Sequence, residues 1–264
     1  MEQTPLPDFR SARRCAGEIL GERSNRLKLM EGIVVFLMPI LLSVLLWELF
    51  SQILTAVDAE GAPAIVASVL FAVFLSLFQL FLTLPLFFGL TGMAAGMAGG
   101  EYVSLADLFE PFGSGKAYRQ TLCLAFRLFW TAGLLILAVW GTLAFFAAVG
   151  GGKLLPALLA GFLTVGEVIG WIVLAMRHFP TLALVQREGM SLREARKKTA
   201  GVAGRARRGG LLWAVCFLPW VLLGLLTVGI LLLADIFPRM LISYFLYAGK
   251  LTDPANSLEV IPHE

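Results

Sequence analysis

The chain has 264 residues, of which 58% are hydrophobic and only 15% are charged. Soluble domains carry about 25% charged residues, so the composition excludes an ordinary soluble domain and indicates a membrane protein. The formal net charge is a modest +3. The three cysteines, Cys15, Cys123 and Cys216, are scattered, which favours small apolar residues over disulfides or metal ligands.

Several apolar runs reach the length of about 20 residues that a bilayer-crossing helix needs. They are continuous rather than alternating, so the fold class is predicted to be all-α, a polytopic membrane helix bundle rather than a barrel. Thirty residues of mixed charge precede the first run. That is too long for the start of a cleavable signal, so the first span is expected to remain.

Residues 1–30 are predicted to form a cytoplasmic region with an amphipathic helix that lies against the membrane. Asp8 is a suitable N-cap for this helix. Its apolar face is predicted from the 3.6-residue spacing, and it consists of Phe9, Ala12, Ala16, Ile19 and Leu20.

The membrane domain is predicted over residues 31–251 and begins with a span at Ile33–Leu49, extending towards Val57. Residues 62–100 form a 39-residue apolar stretch, which as one helix would be roughly 58 Å long, far beyond a bilayer core of about 30 Å. A break is therefore predicted at Pro85. Residues 63–84 would cross, and residues 86–98 would lie at the inner surface or between helices.

Cytoplasmic helices are predicted over residues 86–112 and 191–210, the first including a short capped helix at Ser104–Phe112 that Pro111 ends. The remaining four spans are predicted over residues 128–149, 155–176, 211–223 and 230–248. Gly224 and Gly229 indicate a tight turn between the last two spans. Residues 252–264 are expected to form a flexible tail.

The segment Ser191–Gly210 is polar and basic and lies between apolar runs. It is predicted to be a helix, with Ser191 and Glu194 as a capping box. Its thin apolar face comprises Leu192, Ala195, Thr199, Val202 and Ala206. Its seven cations are Arg193, Arg196, Lys197, Lys198, Arg205, Arg207 and Arg208. Two interpretations remain open: a solvated loop that fixes topology, or a surface that binds anionic lipid or an acidic protein partner.

The distribution of cations selects a six-span topology. The regions predicted to be inside hold 18 of the 21 Lys and Arg residues, Arg239 and Lys250 lie in or after the last span, and the outside loops hold only Lys153. A seven-span alternative would put the nine cations of the Arg177–Arg208 region outside, against the positive-inside rule. Both termini are therefore predicted in the cytoplasm, with the protein in the plasma membrane.

Three ionisable residues are predicted to lie inside the bilayer: Glu167, Asp235 and Arg239. Charges there are costly unless paired or hydrated, so each is a functional candidate. Asp235 and Arg239 are four residues apart on one helix and can pair. Glu167 is expected at a similar depth. Either an interhelical ion pair stabilises the bundle, or the three residues lie on a solute or proton path.

The order of several short motifs resembles the family of uncharacterised bacterial membrane proteins labelled domain of unknown function 975. The matching residues include Ala12, Arg13, Leu20, Gly21 and Asn25 near the start, then Pro85, Leu86, Gly89, Ser104, Leu105, Asp107 and Phe112, then Pro180, Glu194 and Ala195, and finally Trp220, Gly224, Gly229, Pro238 and Tyr247. The resemblance implies a helical, multi-span protein without a known reaction. Similar spans occur fused to glycerophosphodiester phosphodiesterases, which implies a lipid-related or anchoring role.

No catalytic, nucleotide-binding or metal-binding motif is present in the sequence. We therefore expect no enzyme activity, no cofactor, no metal and no nucleic-acid partner. Two function classes remain: a scaffold or assembly factor that binds lipid or a protein partner, and a small permease or transporter subunit with a polar path around Glu167 and Arg239. A membrane enzyme is a distant third.

Overall fold

The computed structural model describes residues 8–57, 61–124, 126, 163, 166, 176, 178–227, 229 and 231–252. Over these ranges the fold is all-helical, without a β-strand. The elements in chain order are α1 (Phe9–Gly21), α2 (Arg23–Ala56), α3 (Ala62–Ala98), a 3₁₀ helix (Leu105–Phe112), a helical stretch over 115–124, α4 (Thr181–Arg187), α5 (Leu192–Gly201), α6 (Ala203–Leu226), a π-helical turn (Leu232–Ile236) and α7 (Phe237–Thr252).

Four helical segments of the described chain are long and apolar enough to cross a membrane: Arg23–Ala56, Val66–Ala98, Ala203–Gly224 and Leu232–Thr252. They overlap the predicted first, second, fifth and sixth spans. The predicted spans over 128–149 and 155–176 fall almost wholly outside the described residues, as does the predicted tail beyond Thr252. The count of six spans therefore stays a prediction.

The chain divides into two compact units. The first unit comprises Met1–Arg13, Phe126–Leu222 and Ser243–Glu264, and the second comprises Arg14–Ala125 and Leu223–Ile242.

The second unit is built on an antiparallel pair, α2 and α3. The rings of Phe50 and Phe71 stack with centroids 4.2 Å apart, and those of Phe36 and Phe87 lie 6.0 Å apart further along the pair. Large apolar side chains are exposed on α2 from Val34 onward and on α3 as far as Phe81. The exposed apolar surface of α2 is about 35 Å long, close to a bilayer core of about 30 Å. Such a surface suits lipid rather than water.

The helix break predicted at Pro85 is wrong, because α3 is continuous from Ala62 to Ala98 with Pro85 inside it. A proline has no N–H to donate to the carbonyl four residues earlier, here that of Phe81. The phenol of Tyr118 donates a hydrogen bond to that carbonyl oxygen at 2.7 Å. The acceptor freed by Pro85 is thus satisfied from another helix, which removes one of the costs of an unbroken helix.

The segment after Pro85 is buried, in contrast to the exposed half of α3 before it. The 3₁₀ helix packs on it so closely that a Cβ at Gly89 would overlap the carbonyl oxygen of Leu108. Ser104 and Asp107 cap the 3₁₀ helix, with the Ser104 N–H donating to Asp107 Oδ2 at 2.8 Å. The predicted cap is therefore confirmed, although the helix is of the 3₁₀ type and continues through Pro111.

The first unit has an aromatic core. Tyr244 donates a hydrogen bond to the Phe179 carbonyl at 2.6 Å, and the Trp213 indole donates to Ser243 Oγ at 3.2 Å. Phe9 of α1 packs edge-on against Phe217 and Tyr247, with centroids 5.7 and 5.6 Å away. The start of the N-terminal helix therefore buries its apolar face against protein.

Two predicted local signals are confirmed. Asp8 caps α1, since its carboxylate accepts hydrogen bonds from the backbone N–H groups of Arg10 and Ser11 at 3.0 and 3.3 Å. The turn after α6 closes with Gly229 at a φ of 79° and its N–H bonded to the Gly224 carbonyl at 3.0 Å. A positive φ is accessible to glycine at little cost, which is why glycine marks this turn.

Candidate functional site

The basic segment begins with a complete capping box. The Ser191 hydroxyl accepts from the Glu194 N–H at 3.4 Å and donates to Glu194 Oε2 at 2.7 Å, and the Ser191 N–H donates to the same oxygen at 3.2 Å. These hydrogen bonds favour the ionised carboxylate and lower the pKa of Glu194. The predicted start of this helix is confirmed.

The prediction of one helix from Ser191 to Gly210 is wrong. Helix α5 ends at Gly201, Val202 leaves helical geometry with φ −114° and ψ 19°, and α6 starts at Ala203. Glycine is among the poorest helix formers, and Gly201 and Gly204 flank the break. The basic segment is therefore α5 plus the first two turns of α6.

The predicted apolar face is confirmed at its centre, because Ala195, Thr199 and Ala206 are all fully buried. The hydroxyl of Thr181 on α4 donates to that of Thr199 at 3.3 Å, so α5 packs on α4 through small residues. The cations consequently lie on the opposite side. Five are exposed, namely Arg193, Arg196, Lys197, Arg207 and Arg208, and two are half-buried, namely Lys198 and Arg205.

One of these cations has a fixed acidic partner. The Lys198 ammonium lies 2.9 Å from Glu188 Oε2, with about a third of each side chain exposed. A pair this exposed contributes about 0–1 kcal/mol to stability. Its main effect is to hold the Lys198 side chain in place on α5.

The start of α6, within the basic segment, lies near the place where α1 and α7 contact each other. Lys250 near the end of α7 donates to Ser11 Oγ at 3.1 Å. A Cβ at Gly209, at the start of α6, would lie 2.9 Å from the Leu251 side chain. By sequence, the first unit holds 14 Lys and Arg against 8 Asp and Glu, a net charge of +6, whereas the second unit holds 7 against 10, a net charge of −3. The positive charge is therefore segregated.

The structure also pairs Asp235 with Arg239. Arg239 Nη2 donates to Asp235 Oδ1 at 2.7 Å, with 31% and 27% of the respective side chains exposed, which confirms that these two residues pair. Arg239 Nε is buried and has no hydrogen-bond partner within the described ranges. A Cβ at Gly17 of α1 would lie 3.4 Å from Arg239 Nη1. Glu167 lies outside the described residues, so its pairing with Arg239 stays a prediction.

A polar contact inside the α2–α3 pair was missed from the sequence. Gln79 Nε2 donates to Ser43 Oγ at 2.7 Å and to the Pro39 carbonyl at 3.3 Å. Thr83 in turn donates to Gln79 Oε1 at 2.7 Å. Side-chain hydrogen bonds of this kind hold membrane helices together. The sequence feature that could have indicated this contact is Gln79, the most polar side chain of its apolar run.

Over the described residues, no group of three or more His, Cys, Asp and Glu side chains could hold a metal ion. Comparison with known proteins matches the chain to no protein-family model, no curated protein and no solved structure. Function must therefore be argued from the chain's own chemistry.

Proposed function

We propose that the chain is a non-enzymatic, multi-pass plasma-membrane protein that acts as a scaffold or assembly factor by binding anionic lipid or an acidic protein partner. The observation that carries this is the segregated net charge of +6 in the first unit, with exposed cations on α5 and α6. Basic residues beside a span attract anionic headgroups, each contributing about 1 kcal/mol near the surface. Membership of the family labelled domain of unknown function 975 is part of the proposal.

The proposed topology has six spans and both termini in the cytoplasm. It is supported by the contact between Ser11 and Lys250 and by the packing of Gly209 on Leu251, because both chain ends then share a side with the basic segment. Basic segments stay inside. Reporter fusions at the two termini should both report the cytoplasm, and an external C-terminus would refute the six-span topology.

The same topology keeps residues 86–98 on the inner side although α3 is unbroken. At 37 residues, α3 is about 55 Å long and exceeds a bilayer core of about 30 Å. A cysteine introduced as Gly100→Cys should therefore resist labelling from outside the cell. Rapid labelling by an impermeant external reagent would overturn this assignment.

The binding role can be tested by removing equal charge from two places. A first variant changes Arg193, Lys197 and Arg207 to Gln, and a control variant changes Arg14, Arg23 and Arg26 of the second unit to Gln. All six side chains are exposed. Native purification followed by lipid and protein mass spectrometry should show loss of anionic lipid or an acidic partner from the first variant only. Equal retention by both variants and the wild type would refute the proposal.

A small permease or transporter subunit is the second candidate, favoured by one observation. The buried, unpartnered Arg239 Nε in the described chain is a group that water or a solute would satisfy. In proteoliposomes, Arg239→Gln would then abolish a solute or proton flux. If the protein is a scaffold, Arg239→Gln would lower stability, and neither the wild type nor the variant would show a flux. A double-mutant cycle of Arg239→Gln with Glu167→Gln would show whether Glu167 couples to Arg239.

A further inference from the structure

A groove of about 630 Å³ runs beside α5 and is lined by Met190, Glu194, Lys197, Lys198 and Gly201. Positions 194, 197, 198 and 201 are spaced by three and four residues, so they share one face of the helix. The groove thus belongs to the basic surface and has two ammonium groups on its wall.

The acids around this groove are already engaged. Glu194 is held by the Ser191 hydroxyl and N–H, and Glu188 is held by Lys198. No acid of the described chain lies within salt-bridge distance of Lys197, which is exposed. An anion entering the groove would therefore meet the free ammonium of Lys197 and that of Lys198, which Glu188 holds in position, and it would also lie near the ionised carboxylate of Glu194, so the attraction comes mainly from Lys197. Lysine binds phosphate as a compact point charge.

The rest of the lining is apolar. Met190 contributes a thioether chain, the lysines contribute methylene stems, and Gly201 leaves open space because a Cβ there would meet nothing within 4 Å. A small hydrated anion gains nothing from such a lining, whereas an amphiphile does. The exposed apolar surface of α6 begins at Leu212, eleven residues beyond Gly201, so apolar surface suited to lipid lies in the same unit as the groove.

We propose that this groove binds the headgroup of an anionic phospholipid, with its phosphate between Lys197 and Lys198 and its glycerol region against Met190 and Gly201. The inference rests on the proposed function and adds the ligand class and the site. Charge complementarity and the apolar lining favour phospholipid over an acidic protein, whose recognition would not need an apolar groove on one helix face.

The test titrates purified full-length protein in neutral detergent with phosphatidylglycerol or phosphatidylcholine and counts bound lipids by native mass spectrometry. Lys197→Gln should weaken phosphatidylglycerol binding about fivefold, the effect of one lysine near a membrane surface. Gly201→Leu fills the groove without changing charge and should weaken it as well. The matched control is Arg23→Gln, which removes an equal charge from an exposed position of the second unit, and it should stay within about twofold of wild type.

Equal losses for Lys197→Gln and Arg23→Gln, with Gly201→Leu unchanged, would overturn the groove site in favour of diffuse surface charge. If inorganic phosphate at equal concentration displaces the lipid, the assignment of phospholipid as the ligand is wrong and the groove is a site for free phosphate. Both outcomes leave wild-type binding of anionic lipid intact, and with it the proposed function. If wild type does not prefer phosphatidylglycerol to phosphatidylcholine, the lipid-binding function itself fails.

Discussion

Replacing Gly89 by alanine tests the packing of the 3₁₀ helix on α3. The added Cβ would overlap the Leu108 carbonyl oxygen and lie 2.7 Å from its carbonyl carbon and 3.0 Å from its Cα. Carbon atoms pack at about 3.5–4.0 Å. The obstacle is backbone, so no side-chain rotation relieves it, and the two helices must separate by roughly 1 Å.

The size of the effect follows from two opposing contributions. Overpacking of a close contact lowers the free energy of unfolding by about 1–3 kcal/mol. Replacing a glycine by alanine inside a helix raises it by up to about 1 kcal/mol. We expect Gly89→Ala to be destabilised by about 1–2 kcal/mol. Gly92→Ala lies one turn further along the same helix, and its Cβ would meet nothing within 4 Å. It should be stabilised by about 0.5–1 kcal/mol.

The assay is thermal unfolding of the two variants and the wild type in one detergent, followed by circular dichroism. A difference of about 2 kcal/mol between the variants corresponds to roughly 4–8 °C in Tm, with the wild type between them. If Gly89→Ala melts at or above the temperature of Gly92→Ala, the close packing of the 3₁₀ helix on α3 is refuted.

Three further predictions follow from contacts of single side chains. Tyr118→Phe should lower stability by about 1–3 kcal/mol in thermal unfolding, because it removes the donor to the carbonyl that Pro85 frees. A double-mutant cycle with Asp235→Asn and Arg239→Gln should give a coupling of about 0.5–1 kcal/mol, since the pair is only partly buried. Wild type should be more stable than Ser191→Ala. This difference in the free energy of unfolding should be largest above pH 4.5, the ordinary pKa of Glu194, and should shrink as the pH falls towards the lowered pKa of that carboxyl in the folded state.

Each of these has an internal check. Tyr102→Phe should be neutral, because the Tyr102 ring is 86% exposed and contacts Lys28 through its face rather than its hydroxyl. Strictly additive losses in the Asp235–Arg239 cycle would mean that the pair contributes nothing. If the difference in stability between wild type and Ser191→Ala increases as the pH is lowered, the lowered pKa of Glu194 is contradicted.

The features predicted correctly from the sequence are those that depend on neighbouring residues. Asp8 and Ser191 cap their helices through N–H groups two or three residues away, and the burial of Ala195 and Thr199 follows from helical spacing alone. Gly229 closes its turn for a reason intrinsic to glycine. Such signals remain visible without any tertiary structure.

The features predicted wrongly depend on partners that the local pattern does not show. Pro85 breaks no helix because its orphaned acceptor is reached by Tyr118, 37 residues from Phe81. For the candidate site, the cations and their exposed side were predictable, but the groove depends on where α5 ends, at Gly201, and that end was placed nine residues too late.

Because α3 is unbroken, its two halves move as one body when the helix tilts. The half before Pro85 carries exposed apolar side chains, and the half from Pro85 to Ala98 is about 20 Å long and packs against the 3₁₀ helix. Membrane helices accommodate changes in bilayer thickness by tilting. A tilt of about 10° would displace the end of a segment of about 20 Å by about 3 Å. A change of tilt would therefore move the close contact between Gly89 and Leu108 together with the apolar half of the helix.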